Sequence, residues 1–165
     1  MLTVSDTSPI SNLASVGRLN LLHDLYHDVW IPEAVRGELL RISDAAVREE
    51  IARAIRGEWL KVRAANNTSL IHLLTGELDA GEAEAIALAL QLEASCLLLD
   101  EREGRTLAKQ LDLRVVGVLG ILLRAKAKGM LPAVKPEIDA LRAKAHFFIS
   151  RDLETKVLAT AGELP

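Results

Sequence analysis

Four acidic residues stand where a folded chain could use them together. Asp6 follows a short predicted strand and Asp100 follows an apolar run, whereas Glu38 and Glu82 lie inside segments with a helical pattern. Carboxylate oxygens are the ligands that hard divalent ions such as Mg²⁺ and Mn²⁺ prefer. An ion held by such acids can activate water and stabilise the charge on a phosphate. The residue types therefore favour metal-assisted chemistry, provided that the fold brings the acids together.

Strand and helix patterns alternate along the chain, which predicts an α/β protein with a parallel sheet covered by helices on both faces. Ligands of such sheets bind just beyond the carboxyl ends of the strands, where Asp6 and Asp100 are expected. The predicted strands are residues 2–5, 29–31, 59–62, 96–99 and 114–116. The clearest predicted helices are residues 44–56, 101–111, 117–128, 137–145 and 151–161.

Length and composition favour one domain over residues 1–165 with an aliphatic core, since half of the residues are apolar and only 3% are aromatic. The single Cys96 excludes an internal disulfide framework, and we expect it to be buried. A cytoplasmic protein is expected, because no secretory leader or membrane-spanning run is recognisable. Residues 1–100 carry 8 basic and 15 acidic residues, whereas residues 101–165 carry 12 and 8. The basic flank could therefore accept a polyanion although the net charge is −3.

Each acid also has an ordinary structural explanation. Asp6 and Asp100 could only cap the helices that follow them, and Asp79 with Glu82 fits a capping box. Glu38 could be an exposed helix charge, which is the common situation of a lone Glu. The hypothesis of a shared site depends on two strand-end acids and two helix acids meeting at one edge of the sheet.

Two of the four positions have a neighbouring competitor. Glu82 and Glu84 point about 200° apart around a helix, so only one can face a given pocket. Glu82 shares its face with apolar residues and is the better candidate. Asp100 is favoured over Glu101 because it directly follows the apolar run, although both remain open.

At these positions the sequence resembles the PIN-domain nucleases, in particular the small prokaryotic toxins of the VapC type. The resemblance covers nearly the whole chain and rests on the segments SDTSPISNL, IPEAVRGELL, LDAGEAEAIALALQLEA, LLLDEREGR and VGVLGILLRAKAKGMLPAVKPEIDAL. It implies a three-layer α/β/α sandwich and metal-dependent RNA cleavage by acids at Asp6, Glu38, Glu82 and Asp100. For the toxin members it also implies a homodimer that a partner antitoxin inhibits. The sequence departs from the usual pattern in having Glu at the third acid and no Thr before the fourth.

The leading hypothesis is a Mg²⁺- or Mn²⁺-dependent ribonuclease in which Asp6, Glu82 and Asp100 hold the metal and Glu38 completes the pocket. Three residues near these acids could contact RNA: Ser8, Arg102 and Arg105. Arginine matches phosphate geometry, although a solvated helix start explains the two arginines equally well.

Other interpretations have less support. His23 and His27 have the i, i+4 spacing of metal ligands, but no third ligand follows a zinc pattern. A phosphate-accepting receiver-like domain would need a strand-end Lys after Val116, which is missing. The remaining alternative is a catalytically inactive domain of the same fold that binds a protein partner.

Overall fold

The computed structural model describes residues 1–164, in which five short strands form one fully parallel sheet. The strands are β1 (Thr3–Ser5), β2 (Val29–Ile31), β3 (Leu60–Val62), β4 (Cys96–Leu98) and β5 (Val115–Val116). Their spatial order is β3-β2-β1-β4-β5, so β1 lies at the centre between β2 and β4. The register places Ser5 beside Leu98 in the β1–β4 pair.

Helices connect successive strands, as a parallel sheet requires. Within residues 1–164 they are α1 (Thr7–Ser15), α2 (Asn20–Tyr26), α3 (Glu33–Leu39), α4 (Ala45–Arg56), α5 (Thr68–Leu74), α6 (Ala80–Gln91), α7 (Arg102–Gln110), α8 (Val118–Ala127), α9 (Lys135–Ala145) and α10 (Arg151–Thr160). None of these helices combines the length and the apolar character needed to cross a membrane.

Alternation along the strands directs apolar side chains into two cores, one on each face of the sheet. Val4 and Leu97 pack with α5, α6 and α7 in one core. Cys96 and Leu98 pack in the other, which also contains the buried faces of α1, α2, α4, α8, α9 and α10. The predicted α/β architecture with helices on both faces is confirmed, and so is the burial of Cys96.

The local predictions are correct to within one or two residues at most element ends, where hydrogen-bonding patterns fray. Of Ser43 and Asp44, the two candidate caps that the sequence offers for α4, Asp44 is the cap, since its Oδ1 accepts hydrogen bonds from the backbone N–H groups of Ala46 and Val47 at 2.9 and 3.1 Å. The helix predicted from residue 137 begins earlier, at Lys135, and the helix predicted from residue 101 begins at Arg102.

Replacing Ile86 by Ala tests the core beneath α6. Ile86 is fully buried, so we expect the free energy of unfolding to fall by about 2–5 kcal/mol through lost burial and a cavity. Leu73→Ala is the control, because Leu73 is 74% exposed and should change stability by less than about 0.5 kcal/mol. Urea unfolding measures both, and equal losses for the two variants would contradict the placement of α6.

Candidate active site

The pairing of β1 with β4 brings two acids to the same edge of the sheet. The backbone N–H of Asp6 donates to the Leu98 carbonyl oxygen at 2.9 Å, immediately before Leu99 and Asp100. The carboxyl ends of both strands therefore open on one side of the molecule, as the alternating pattern predicted.

Asp6 is almost completely enclosed, with 3% of its surface exposed. It occupies the cap position of α1, but its side chain makes no capping hydrogen bond, and its Oδ1 receives no hydrogen bond from the described residues. Burial raises the pKa of Asp6 to about 7, and the charges of Asp79 and Glu38 add to this rise. Helix capping therefore does not explain this acid.

Glu82 points inward from the first turn of α6 and is 7% exposed. Burial raises its pKa first, and the neighbouring Asp79 and Asp6 carboxylates raise it further. Asp79 caps the helix, since its Oδ1 accepts from the Glu82 backbone N–H at 2.8 Å. Glu84 instead points toward α3, where its Oε1 accepts from the Ala34 N–H at 3.3 Å. Of the two competing glutamates, Glu82 is the one that faces Asp6.

Glu38 reaches the same region from α3. Its carboxylate accepts a hydrogen bond from the Thr7 hydroxyl, at the start of α1. Glu38 is only partly exposed, and its charge contributes to the raised pKa of Asp6. Its side chain is therefore held toward the sheet edge, unlike an ordinary solvated helix charge.

Asp100 lies farther toward β5. Its Oδ1 accepts from the Val118 N–H at 2.9 Å, at the start of α8, so it does not cap the helix that follows it. Its Oδ2 is buried and receives no hydrogen bond from the described residues. Burial raises the pKa of Asp100, whereas the adjacent Arg105 guanidinium lowers it. Arg105 is itself fixed by donating from Nη1 to the Leu99 carbonyl oxygen at 3.0 Å.

The charge of Glu101 acts on three of the other acids. Its charge raises the pKa values of Asp6, Glu82 and Asp100. Successive residues of an extended segment point to opposite sides, so an acidic pair at a strand end can serve two pockets at once. We call the group formed by Asp6, Glu38, Asp79, Glu82 and Glu101 the acid pocket, with Asp100 at its side. The sequence pattern treated Asp79 only as a cap and Glu101 as the less favoured alternative.

Two glycines form part of the wall of the acid pocket. A Cβ added at Gly81 would lie 2.7 and 2.8 Å from the Glu38 carboxylate oxygens, and one at Gly104 would lie 2.6 Å from Glu82 Oε2. All three distances are shorter than real Cβ contacts allow. The sequence analysis missed both residues, although each lies within three residues of a candidate acid or its competitor.

The three predicted RNA-contacting residues separate into two groups. Ser8 and Arg105 line a cleft together with Asp100 and Glu101. Arg102 is exposed and lines a different depression with Glu77 and Glu103.

The two histidines with the i, i+4 spacing of metal ligands make contacts within the protein. His23 stacks on Trp59 with ring centroids 5.2 Å apart, and its Nδ1 lies 2.7 Å from the His27 carbonyl oxygen.

The donor set suits a hard divalent cation. Three buried carboxylate oxygens, Asp6 Oδ1, Glu82 Oε2 and Asp100 Oδ2, have no hydrogen-bond partner among the described residues. No three His, Cys, Asp or Glu side chains within residues 1–164 are grouped closely enough to form a complete set of metal ligands. The oxygens are therefore of the right chemical type for Mg²⁺ or Mn²⁺, and water would have to supply further ligands, as is usual for Mg²⁺.

Asp6→Asn tests the electrostatic cost of the acid pocket. The pKa of Asp6 rises from 3.8 to about 7 on folding. At pH values between these two, the folded state therefore keeps a proton on Asp6 that the unfolded state has lost. Without divalent ions, stability should therefore fall as the pH rises through this interval. We expect Asp6→Asn to weaken this fall and to raise Tm at about pH 8 by on the order of 5 °C.

Thermal unfolding in EDTA, from about pH 5 to about pH 8, measures this effect. Asp24→Asn, at an exposed position of α2, should follow the wild-type curve. An Asp6→Asn curve that also coincides with the wild type would contradict the raised pKa.

Gly104→Ala tests whether the missing side chain at residue 104 leaves necessary room for the Glu82 carboxylate. Ala stabilises a helix interior by about 0.5–1 kcal/mol relative to Gly, but here its Cβ must displace the flexible end of Glu82. We expect the folded state to survive and Mn²⁺ affinity, measured by calorimetry, to fall by about tenfold or more. Gly37→Ala in α3 is the matched control, because its Cβ would meet only the Arg41 side chain. Unchanged Mn²⁺ affinity in Gly104→Ala would show that Glu82 is not a ligand.

Comparison with known proteins identifies the family. A family model described as a PIN domain matches residues 2–163. Comparisons with curated proteins and with solved structures gave no significant match. The parallel five-stranded sheet and the acids at the carboxyl ends of its strands agree with the family match. The chain therefore belongs to the PIN-domain family, whose members are in general nucleases.

Proposed function

We propose that this PIN-domain protein is a divalent-metal-dependent endoribonuclease. The observation that carries the proposal is the set of three buried carboxylate oxygens without hydrogen-bond partners, on Asp6, Glu82 and Asp100. Burying a carboxylate without a compensating partner is costly. A site that retains three such oxygens at the ligand-binding edge of a parallel sheet is better explained by an ion than by structural need.

In this proposal, Asp6 and Glu82 hold Mg²⁺ or Mn²⁺ from β1 and α6, and Asp100 holds it from the end of β4. When bound, the ion supplies Lewis acidity toward a phosphate and toward water. Glu38 completes the pocket, and the Thr7 hydroxyl orients its carboxylate. Glu101 adds negative charge to both sides of the site.

The RNA backbone would lie along the cleft beside Asp100. Arg105 is fixed by one hydrogen bond to the backbone, and a guanidinium has further N–H groups that can donate to a phosphate. Ser8 lines the same cleft and offers a hydroxyl. Arg102, which lies elsewhere on α7, would contact RNA only outside this cleft.

We further propose that the protein is the toxin of a toxin–antitoxin pair, acting in the cytoplasm as a homodimer. The support is the resemblance of its motifs to the VapC type. An antitoxin that covers the acid pocket would keep the nuclease inactive until it is removed.

A second function is favoured by one observation. Within residues 1–164 no complete set of metal ligands is assembled, as expected for a catalytically inactive PIN-like domain that binds a protein partner. Calorimetric titration with Mn²⁺ separates the two, because the inactive domain should show no binding.

The decisive experiment measures cleavage of single-stranded RNA with Mn²⁺, with EDTA, and by Asp6→Asn and Glu82→Gln. We expect EDTA to abolish cleavage and each substitution to slow it on the order of 100-fold or more, through lost charge stabilisation. Glu84→Gln is the matched control, because Glu84 lies on the same helix but faces α3, and it should retain wild-type activity.

Cleavage that resists EDTA, or that is equal in the wild type and in Asp6→Asn, would overturn the nuclease proposal. Induced expression in a bacterial host tests the toxin role, since growth should stop with the wild type and continue with Asp6→Asn.

A further inference from the structure

A cleft of about 800 Å³ opens from the side of the acid pocket. Ser8, Asp100, Glu101 and Arg105 line its inner end. Its outer part is formed by α8, α10 and residues 145–148, which are the end of α9 and the start of the segment that links it to α10. We call it the aromatic cleft, because Phe147 and Phe148 lie in its wall.

The two phenylalanines are the only ones in the chain, in which just 3% of residues are aromatic. Phe147 packs partly against the core, whereas Phe148 is 88% exposed. Of the large apolar side chains within residues 1–164, Phe148 has the highest exposed fraction. A phenyl ring left in water beside a candidate active site has the exposure needed for stacking with a flat ligand.

The lining of the cleft carries charges of both signs, with Asp100 and Glu101 beside Arg105. Arg105 lies at the inner end, and a second cleft of about 500 Å³ continues from the first through Asn12, Ala145 and His146. This second cleft adds Lys144 and Ser43, together with the acidic Asp44. Arg105 and Lys144 can pair with backbone phosphates, and Phe148 offers an exposed ring for stacking. The path therefore contains both kinds of group that bind single-stranded nucleic acid, with the acids Asp44, Asp100 and Glu101 beside them.

We propose that the aromatic cleft binds an unpaired nucleobase of single-stranded RNA next to the scissile phosphate, with the base stacked on Phe148. The proposal rests on the ribonuclease function and adds the position that selects unpaired RNA. Arg105 and Lys144 contact the flanking phosphates. Bases inside a duplex are already stacked and cannot enter the cleft, so the substrate is a loop, a bulge or a single strand.

The size and lining of the cleft are compatible with a flat small-molecule group such as a base. Its volume lies within the range of about 300–1,000 Å³ that is typical of small-ligand sites. Its lining combines apolar side chains such as Leu119 and Leu123 with the polar groups of Asn12 and His146. This mixture suits a flat heterocycle that both stacks and forms hydrogen bonds.

The test measures binding without cleavage. Single-stranded RNA carrying 2-aminopurine at successive positions is titrated with the wild type, Phe148→Ala and Phe148→Tyr in EDTA. We expect 2-aminopurine fluorescence to be quenched at one or two positions by the wild type and by Phe148→Tyr. Phe148→Ala should lose the quenching and bind about tenfold more weakly, because the stacking partner is missing. Leu73→Ala, with another exposed apolar side chain outside the cleft, should bind as the wild type does.

The outcomes separate this proposal from the nuclease function. If the wild type cleaves RNA while Phe148→Ala binds RNA and quenches fluorescence normally, the proposal for the aromatic cleft is overturned and the nuclease proposal is not. Wild-type protein that neither binds nor cleaves RNA would overturn both proposals. A loss of self-association in Phe148→Ala, seen by sedimentation with RNA binding unchanged, would make the cleft a protein interface and would also overturn the proposal.

Discussion

The parallel pairing of β1 with β4 is the constraint on which the candidate site depends. Backbone hydrogen bonds align Ser5 with Leu98, so the acids that follow the two strands lie at the same edge of the sheet. Because parallel neighbours need a long crossover, these acids lie far apart in sequence. The crossover into β4 is α6, which also carries Glu82. The β1–β4 pairing, with α6 as the crossover, therefore places three of the acids. Helix α3 adds Glu38 through its packing on α6.

The acid pocket is electrostatically costly without a counter-ion. Burial and like charges raise the pKa values of Asp6, Glu82 and Asp100 together. The fold provides only partial compensation: the Val118 N–H serves Asp100, and the Thr7 hydroxyl serves Glu38. The aliphatic cores on both faces of the sheet supply the stability that allows this cost to be tolerated. Such a division between a stable sheet and a destabilised edge is expected of proteins that maintain a functional site.

The sequence predicted most of the fold, because the alternation of apolar strands and amphipathic helices is a local pattern. It also predicted the inward orientation of Glu82, since the apolar neighbours of that residue mark the buried face of α6. The surroundings of Asp100 could not be predicted, because they depend on where α8 begins in space. The contribution of Glu101 was likewise hidden, since its side chain follows from the turn after β4. That Phe148 and Arg105 line the same cleft depends on the packing of α10, which no local pattern specifies.

The close approach of two glycines to carboxylates affects how similar sites can be recognised in other sequences. Gly81 and Gly104 leave room for the oxygens of Glu38 and Glu82, and any side chain at either position would occupy that room. A chain could thus preserve every acid and still lose the void between them through one added methyl group. Surveys of related sequences that score only the charged positions would count such a chain as intact, whereas the small residues would reveal that its cavity is filled.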